Sequence, residues 1–156
     1  MQLSELLCQE CSTRTLRAGS KKRALELVSE MIADHVDQLI QVEIFDSLIG
    51  RERLGSTGMG HGVAIPHGRV KGIDKAIGAF IRLEQAVDFD AIDRLPVDLL
   101  FFLLVPEHYT DEHLQILSTL AEMFSDEPFC ATLREAPDDP ALYRLIIDWR
   151  PDTPLQ

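Results

Sequence analysis

Eight of the nine glycines in this 156-residue sequence fall between residues 50 and 78, and among them lies GSTGMGHGVAIPHG, residues 55–68. Glycines so clustered let the backbone pass close to another group or take positive φ, and phosphate binding is the first chemistry they suggest. A Walker loop needs Lys and then Ser or Thr after its last glycine. Gly60 is followed instead by His61 and Gly62, leaving no ammonium for the phosphates and no hydroxyl for Mg²⁺. The dinucleotide fingerprint also fails, because Val63 stands where its third glycine belongs and the segment runs into a strand-like Val63-Ala64-Ile65-Pro66 in place of a helix.

What the loop does hold is His67, between Pro66, which stiffens the approach, and Gly68, which admits close neighbours. Two further residues could join it. His113 is the third residue of a helix beginning at Asp111, where free N–H groups and the helix dipole favour an anion, and Arg51 precedes the loop with a guanidinium. A neutral imidazole is a competent nucleophile near neutral pH, and fixed donors stabilise a transferring phosphoryl group without a metal. The set therefore suits a covalent phosphoryl site. Two plainer readings stand beside it: a turn histidine with a satisfied hydrogen bond at 67, and a helix-surface histidine at 113. A metal-dependent hydrolase built on His61, His67 and His113 is disfavoured, since neither H-E-x-x-H nor a carboxylate-bridged histidine spacing is present. A purely interacting domain in which His67 is structural is the remaining alternative.

The elements that must position these residues follow from periodicity. Ala24, Leu25, Val28, Met31 and Ile32 recur at helical spacing after Ser20, predicting a helix over 21–36 with Ser20 as N-cap and Lys21, Lys22 and Arg23 as a solvated first turn. A second helix is expected over 38–53, with Ile40, Ile44, Phe45, Leu48 and Ile49 as its stripe. Residues 55–68 read as loop with a short strand at 63–65. Strands follow at 76–83 and 97–105, the second apolar on both faces and so central in a covered sheet, with polar connection between. Thr110 can cap a helix over 111–125 whose Leu114, Leu117, Leu120, Ala121 and Phe124 face inward, and 127–135 and 140–149 read as two more helical pieces. Helices alternating with strands predict a single α/β domain, a mixed sheet flanked by helices on both faces, with its core over about 3–149 and residues 151–156 a frayed tail.

Composition bounds the rest. With 15 Lys plus Arg against 26 Asp plus Glu, the formal charge is −11, which repels nucleic-acid backbones and anionic membranes. The most apolar run, 99–105, is too short to cross a bilayer, the N-terminus lacks a basic n-region, and a cytoplasmic location is the default expectation. Cys8 and Cys11 form a lone C-x-x-C, and the residues after it look extended, unlike a thioredoxin turn. They are expected to be reduced bystanders.

The stretch from Arg51 to Gly68, RERLGSTGMGHGVAIPHG, closely resembles the active-site signature of the enzyme IIA proteins of the bacterial phosphotransferase system, mannitol/fructose class, and above all the nitrogen-type IIA. Val87-Asp88-Phe89-Asp90, Pro96-Val97-Asp98, Leu104-Val105-Pro106, His113-Leu114 with Leu117, and Ser20 to Leu25 resemble the same family in the same order. The resemblance implies that His67 becomes a tele-phosphohistidine, that His113 hydrogen-bonds the phosphoryl group, and that Arg51 and Ser56 support it. The donor it implies is a histidine-containing phosphocarrier protein charged by an enzyme I from phosphoenolpyruvate, with no other cofactor. Nitrogen-type members regulate nitrogen metabolism and potassium homeostasis, so their partners include potassium transport or sensor kinase components. A sugar-specific IIA passing phosphate to a IIB protein is the alternative within the family. Met59 and His61 depart from its common pattern, and His61 is expected to be neutral in function.

Overall fold

The computed structural model describes residues 3–7, 13–108 and 111–150. In chain order they form α1 (Leu3–Leu6), β1 (Thr13–Leu16), α2 (Lys21–His35), α3 (Gln41–Leu54), β2 (Gly58–Gly60), β3 (Val63–Ala64), β4 (His67–Val70), β5 (Ile77–Val87), β6 (Val97–Pro106), α4 (Asp111–Ser125), α5 (Glu127–Glu135) and α6 (Asp139–Asp148). The strands make one mixed sheet in the order β1-β5-β6-β3-β2, with β4 also paired to β6. β1 runs parallel to β5, β5 antiparallel to β6, and both β3 and β4 parallel to β6.

β6 is the central strand, and its alternation divides the interior in two. Leu100, Phe102 and Leu104 pack with α2 and α3, whereas Leu99, Phe101, Leu103 and Val105 pack with α1, α4, α5 and α6. Helices on both faces thus follow from a strand apolar on both sides, as its composition predicts. Polar caps fix where the helices begin. Ser20 Oγ accepts from Arg23 N at 3.1 Å, Asp126 from Phe129 N at 3.0 Å, and Asp138 from Ala141 N at 2.9 Å. Arg82 on β5 closes the other end of α5, donating to the carbonyls of Leu133 at 2.9 Å and Ala136 at 2.7 Å, and also to Thr15 Oγ1.

Four expectations need correction. Residues 55–68 are more ordered than a loop with one strand, because β2 and β4 form there as well. Lys21 is not a solvated residue: its side chain is 17% exposed and pairs with the buried Glu52 at 2.9 Å. Leu114 faces solvent at 52% exposure, and the buried stripe of α4 runs instead through Ile116, Leu120, Met123 and Phe124. Ile40, similarly, is an exposed N-cap of α3 and lies outside its stripe. Cys8, Cys11, the proposed cap Thr110 and the tail 151–156 lie outside the described residues.

Candidate functional site

β3 and β4 share one register against β6. Val63 pairs with Leu99, Ala64 with Leu100, His67 with Leu103 and Gly68 with Leu104, so they are one strand interrupted at Ile65-Pro66. Pro66 has no N–H to give the ladder, yet its carbonyl accepts from Leu103 N at 2.9 Å and holds the interrupted strand in place. His67 is therefore the first residue of β4. It is anchored by the sheet, and no free turn is involved.

Register also decides which way the flanking residues look. A Cβ built on Gly68 would point at α3, meeting Ser47 Oγ at 2.2 Å, whereas His67, one residue earlier, alternates to the face of Leu103, which α4 covers. His113 sits in the first turn of α4 and is 8% exposed. α4 begins soon after β6 ends at Pro106, three residues beyond the partner of His67, so both histidines lie on one face at one end of the sheet.

The imidazole of His67 is half-buried, and its Nδ1 lies 2.8 Å from the carbonyl oxygen of Ile65. A carbonyl only accepts, so Nδ1 carries the proton and Nε2 keeps its lone pair. Burial is the main cause that lowers the pKa of His67 below the ordinary histidine value. The Ile65 carbonyl opposes it, the Arg51 charge adds to it, and Glu52 opposes it again. The ring is thereby held neutral, with a bare Nε2, through neutral pH.

Arg51 is in the last turn of α3, close enough for its charge to act on His67, and its Nη1 donates to Gly55 O at 2.8 Å. Ser56 works through the backbone. Its hydroxyl donates to Phe89 O at 2.7 Å and accepts from Gly58 N at 3.0 Å, tying the start of the glycine segment to the 88–96 connection. His61 turns elsewhere. It adopts φ +57° between Gly60 and Gly62, its amide donates to Asp93 at 2.7 Å, and its ring pairs with Glu127 on α5 at 3.1 Å. The amides of His61 and Leu95 hold the Asp93 carboxyl below the usual carboxylate range. Among the described residues no three His, Cys, Asp or Glu side chains gather as a metal ion would require, and His61 is not brought to His67 as the hydrolase reading needs.

Sequence reasoning missed Glu52 and its partners. The carboxylate is 6% exposed and accepts from Thr57 N at 3.2 Å, from Thr57 Oγ1 and from Lys21 Nζ at 2.9 Å. Lys21 also stands 4.8 Å above the ring centroid of Phe89. A glutamate flanked by two arginines in an amphipathic helix carries no sign of burial, and the distant Lys21 together with Thr57 explains it.

A half-buried histidine whose Nδ1 is held by a backbone carbonyl, with an arginine charge acting on it and a second, buried histidine at the same end of an α/β sandwich, is an arrangement suited to phosphoryl transfer. The chain belongs to the phosphoenolpyruvate-dependent sugar phosphotransferase system EIIA 2 family, whose model matches residues 5–149. Within it, the nitrogen regulatory protein of Escherichia coli strain K12 is 46% identical over 149 residues, covering 95% of this chain and 91% of that protein. The crystal structure of the nitrogen regulatory protein IIA-Ntr from Neisseria meningitidis matches with a TM-score of 0.85 at 41% identity, covering 92% of this chain and 98% of that one. The IIA mannitol structure from Escherichia coli, at 20% identity and a TM-score of 0.69 over 92% of this chain and 96% of that one, shares the fold. No helix among the described residues is long and apolar enough to cross a membrane.

Proposed function

We propose that this chain is a regulatory phosphocarrier. His67 accepts a phosphoryl group from a histidine-containing phosphocarrier protein that an enzyme I has charged from phosphoenolpyruvate, and its phosphorylation state governs targets in nitrogen metabolism and potassium homeostasis. The observation that carries the chemistry is the bond from His67 Nδ1 to the Ile65 carbonyl, because it leaves Nε2 as the one ring nitrogen able to attack. The Nε2–phosphorus bond forms as the carrier's nitrogen–phosphorus bond breaks, and the electron pair returns to the carrier's imidazole, which leaves neutral when its other nitrogen carries a proton. Positive charge grows on the His67 ring meanwhile. The Ile65 carbonyl, already aligned, stabilises that charge at no reorganisation cost, while Arg51 and His113 face the phosphoryl oxygens.

Phosphorylation adds about −1.5 to −2 charges at the site. On a chain of formal charge −11 that addition bears on partner choice, which suits a regulator whose output is protein binding. Likeness to nitrogen regulatory proteins over almost the whole chain supports regulation over sugar transfer to a IIB protein. Incubation with phosphoenolpyruvate, enzyme I and the carrier should give an acid-labile, base-stable adduct that NMR places on Nε2, and His67→Ala should abolish it. Full labelling of His67→Ala would remove the assignment. In a deletion strain, an altered potassium or nitrogen response is expected; loss of sugar uptake in its place would favour the sugar-specific reading.

A further inference from the structure

The last turn of a helix is a poor place for a buried anion, since the helix dipole opposes it there, yet α3 ends with Glu52 at 6% exposure beside Arg51. Both oxygens of that carboxylate are engaged, Oε1 by Lys21 Nζ and the Thr57 amide and Oε2 by the Thr57 hydroxyl. From Thr57 the hydrogen bonds continue toward the histidine. The Thr57 carbonyl accepts from Ile65 N at 3.1 Å, and the Ile65 carbonyl accepts from His67 Nδ1 at 2.8 Å. Ile65 is followed by Pro66, whose missing N–H deprives this part of the strand of a ladder bond, so its orientation rests on the Thr57 bond on one side and the Leu103 bond to the Pro66 carbonyl on the other.

We propose that Glu52 is a positioning residue for phosphoryl acceptance: by holding Thr57, it fixes the Ile65 carbonyl that keeps His67 in its Nδ1–H form, with Lys21 as its counter-ion. This rests on His67 being the acceptor. Glu52 does not touch the phosphoryl group; it acts on which nitrogen of the ring is free. Lys21 thereby links helix α2 to the reacting atom through four residues, Glu52, Thr57, Ile65 and His67.

The test is made on the full chain with Glu52→Ala, Glu52→Gln and Thr57→Val. Long-range ¹H–¹⁵N NMR of the imidazole reads the tautomer, and transfer kinetics from the phosphorylated carrier separate kcat from KM. Removing outer partners that orient a metal-bound histidine costs roughly 10–100-fold, and about a tenfold fall in kcat is expected here for Glu52→Ala, with KM for the carrier unchanged and a mixture of tautomers replacing the Nδ1–H form. Glu52→Gln keeps an acceptor for the Thr57 amide and should recover the tautomer and most of kcat. Should Glu52→Ala fail to unfold cooperatively, Thr57→Val, which keeps the backbone bond and loses the hydroxyl, carries the test with smaller changes in the same direction. A pure Nδ1–H tautomer or a wild-type kcat in the folded variant overturns the proposal, and so does a rise in KM with kcat unaltered. The tautomer is read without any phosphoryl donor, so its outcome is independent of whether His67→Ala loses the label.

Discussion

Replacing Gly68 by alanine puts a methyl group where α3 already stands. The added Cβ would lie 2.2 Å from Ser47 Oγ, 3.1 Å from Ser47 O and 3.2 Å from Ser47 C. The hydroxyl can rotate away, but it then gives up its 2.7 Å bond to Arg69 O, worth about 1 kcal/mol. The two backbone contacts remain after that rotation. Prising α3 from β4 by a few tenths of an ångström adds a cost of about 1 kcal/mol, at the low end for overpacking. The expected destabilisation is about 2 kcal/mol, or roughly 4–8 °C in melting temperature for a chain of this size. Ser47→Ala alone loses only the hydrogen bond. In the double variant that bond is lost once and not twice, so the pair should be less damaging than the separate effects added together, by about 1 kcal/mol. Urea denaturation of the wild type, both single variants and the double variant measures this. A Gly68→Ala midpoint within about 0.5 kcal/mol of wild type, or strict additivity in the cycle, would refute the steric account. The substitution sits one residue from His67 and shifts β4 against Arg51, so phosphorylation should slow in step with the lost stability.

Because burial lowers the pKa of His67, the acidic limb of its pH–rate profile for phosphoryl acceptance should have its midpoint below about pH 6.5. Arg51→Met should move that midpoint up and Glu52→Gln should move it down, since Arg51 lowers and Glu52 raises the pKa; equal shifts in one direction would contradict the site's electrostatics. The same shift makes stability pH-dependent. The unfolded chain binds the His67 proton more readily than the folded one, so the stability present above about pH 6.5 is lost as pH falls toward the folded-state pKa, and His67→Ala should flatten that slope. Arg82→Met removes the donor that the last carbonyls of α5 share with Thr15 Oγ1, which keeps only its bond to Asp139, and should cost about 2 kcal/mol in chemical denaturation; a loss under about 0.5 kcal/mol would mean that water replaces the guanidinium without penalty.

The layered architecture was legible because each signal was local. The double-faced apolar run of β6, the Ser20 cap and the helical stripes are properties of neighbouring residues, and the structure places them within a few positions of their expected bounds. His67 was legible as a residue but not as a strand residue. Its ladder partner Leu103 lies 36 positions away, and a sequence dense in glycine and proline hides strands whose pairing is non-local. Lys21 reads as solvated for a similar reason, since its burial is decided by Glu52 and Phe89, which no spacing within α2 reveals. Leu114 shows the opposite failure: it fits the edge of the helical period, but about a third of a turn separates it from the stripe that meets Phe101 and Leu103. Ser56, expected from resemblance to support the site, spends its hydroxyl on the backbone of Phe89 and Gly58.

β4 is four residues long, pairs on one side with β6, opens after a proline and carries the exposed Arg69, with Lys71 just past its end. A strand border of that kind is a poor template for another protein's backbone, because it is brief, charged and lacks a donor at its start. Visitors must therefore engage His67 through side chains, which can be released as quickly as they are gathered. A domain whose task is to be charged by one protein and consulted by others gains from this. The shape that presents the histidine also keeps each encounter from hardening into a shared sheet.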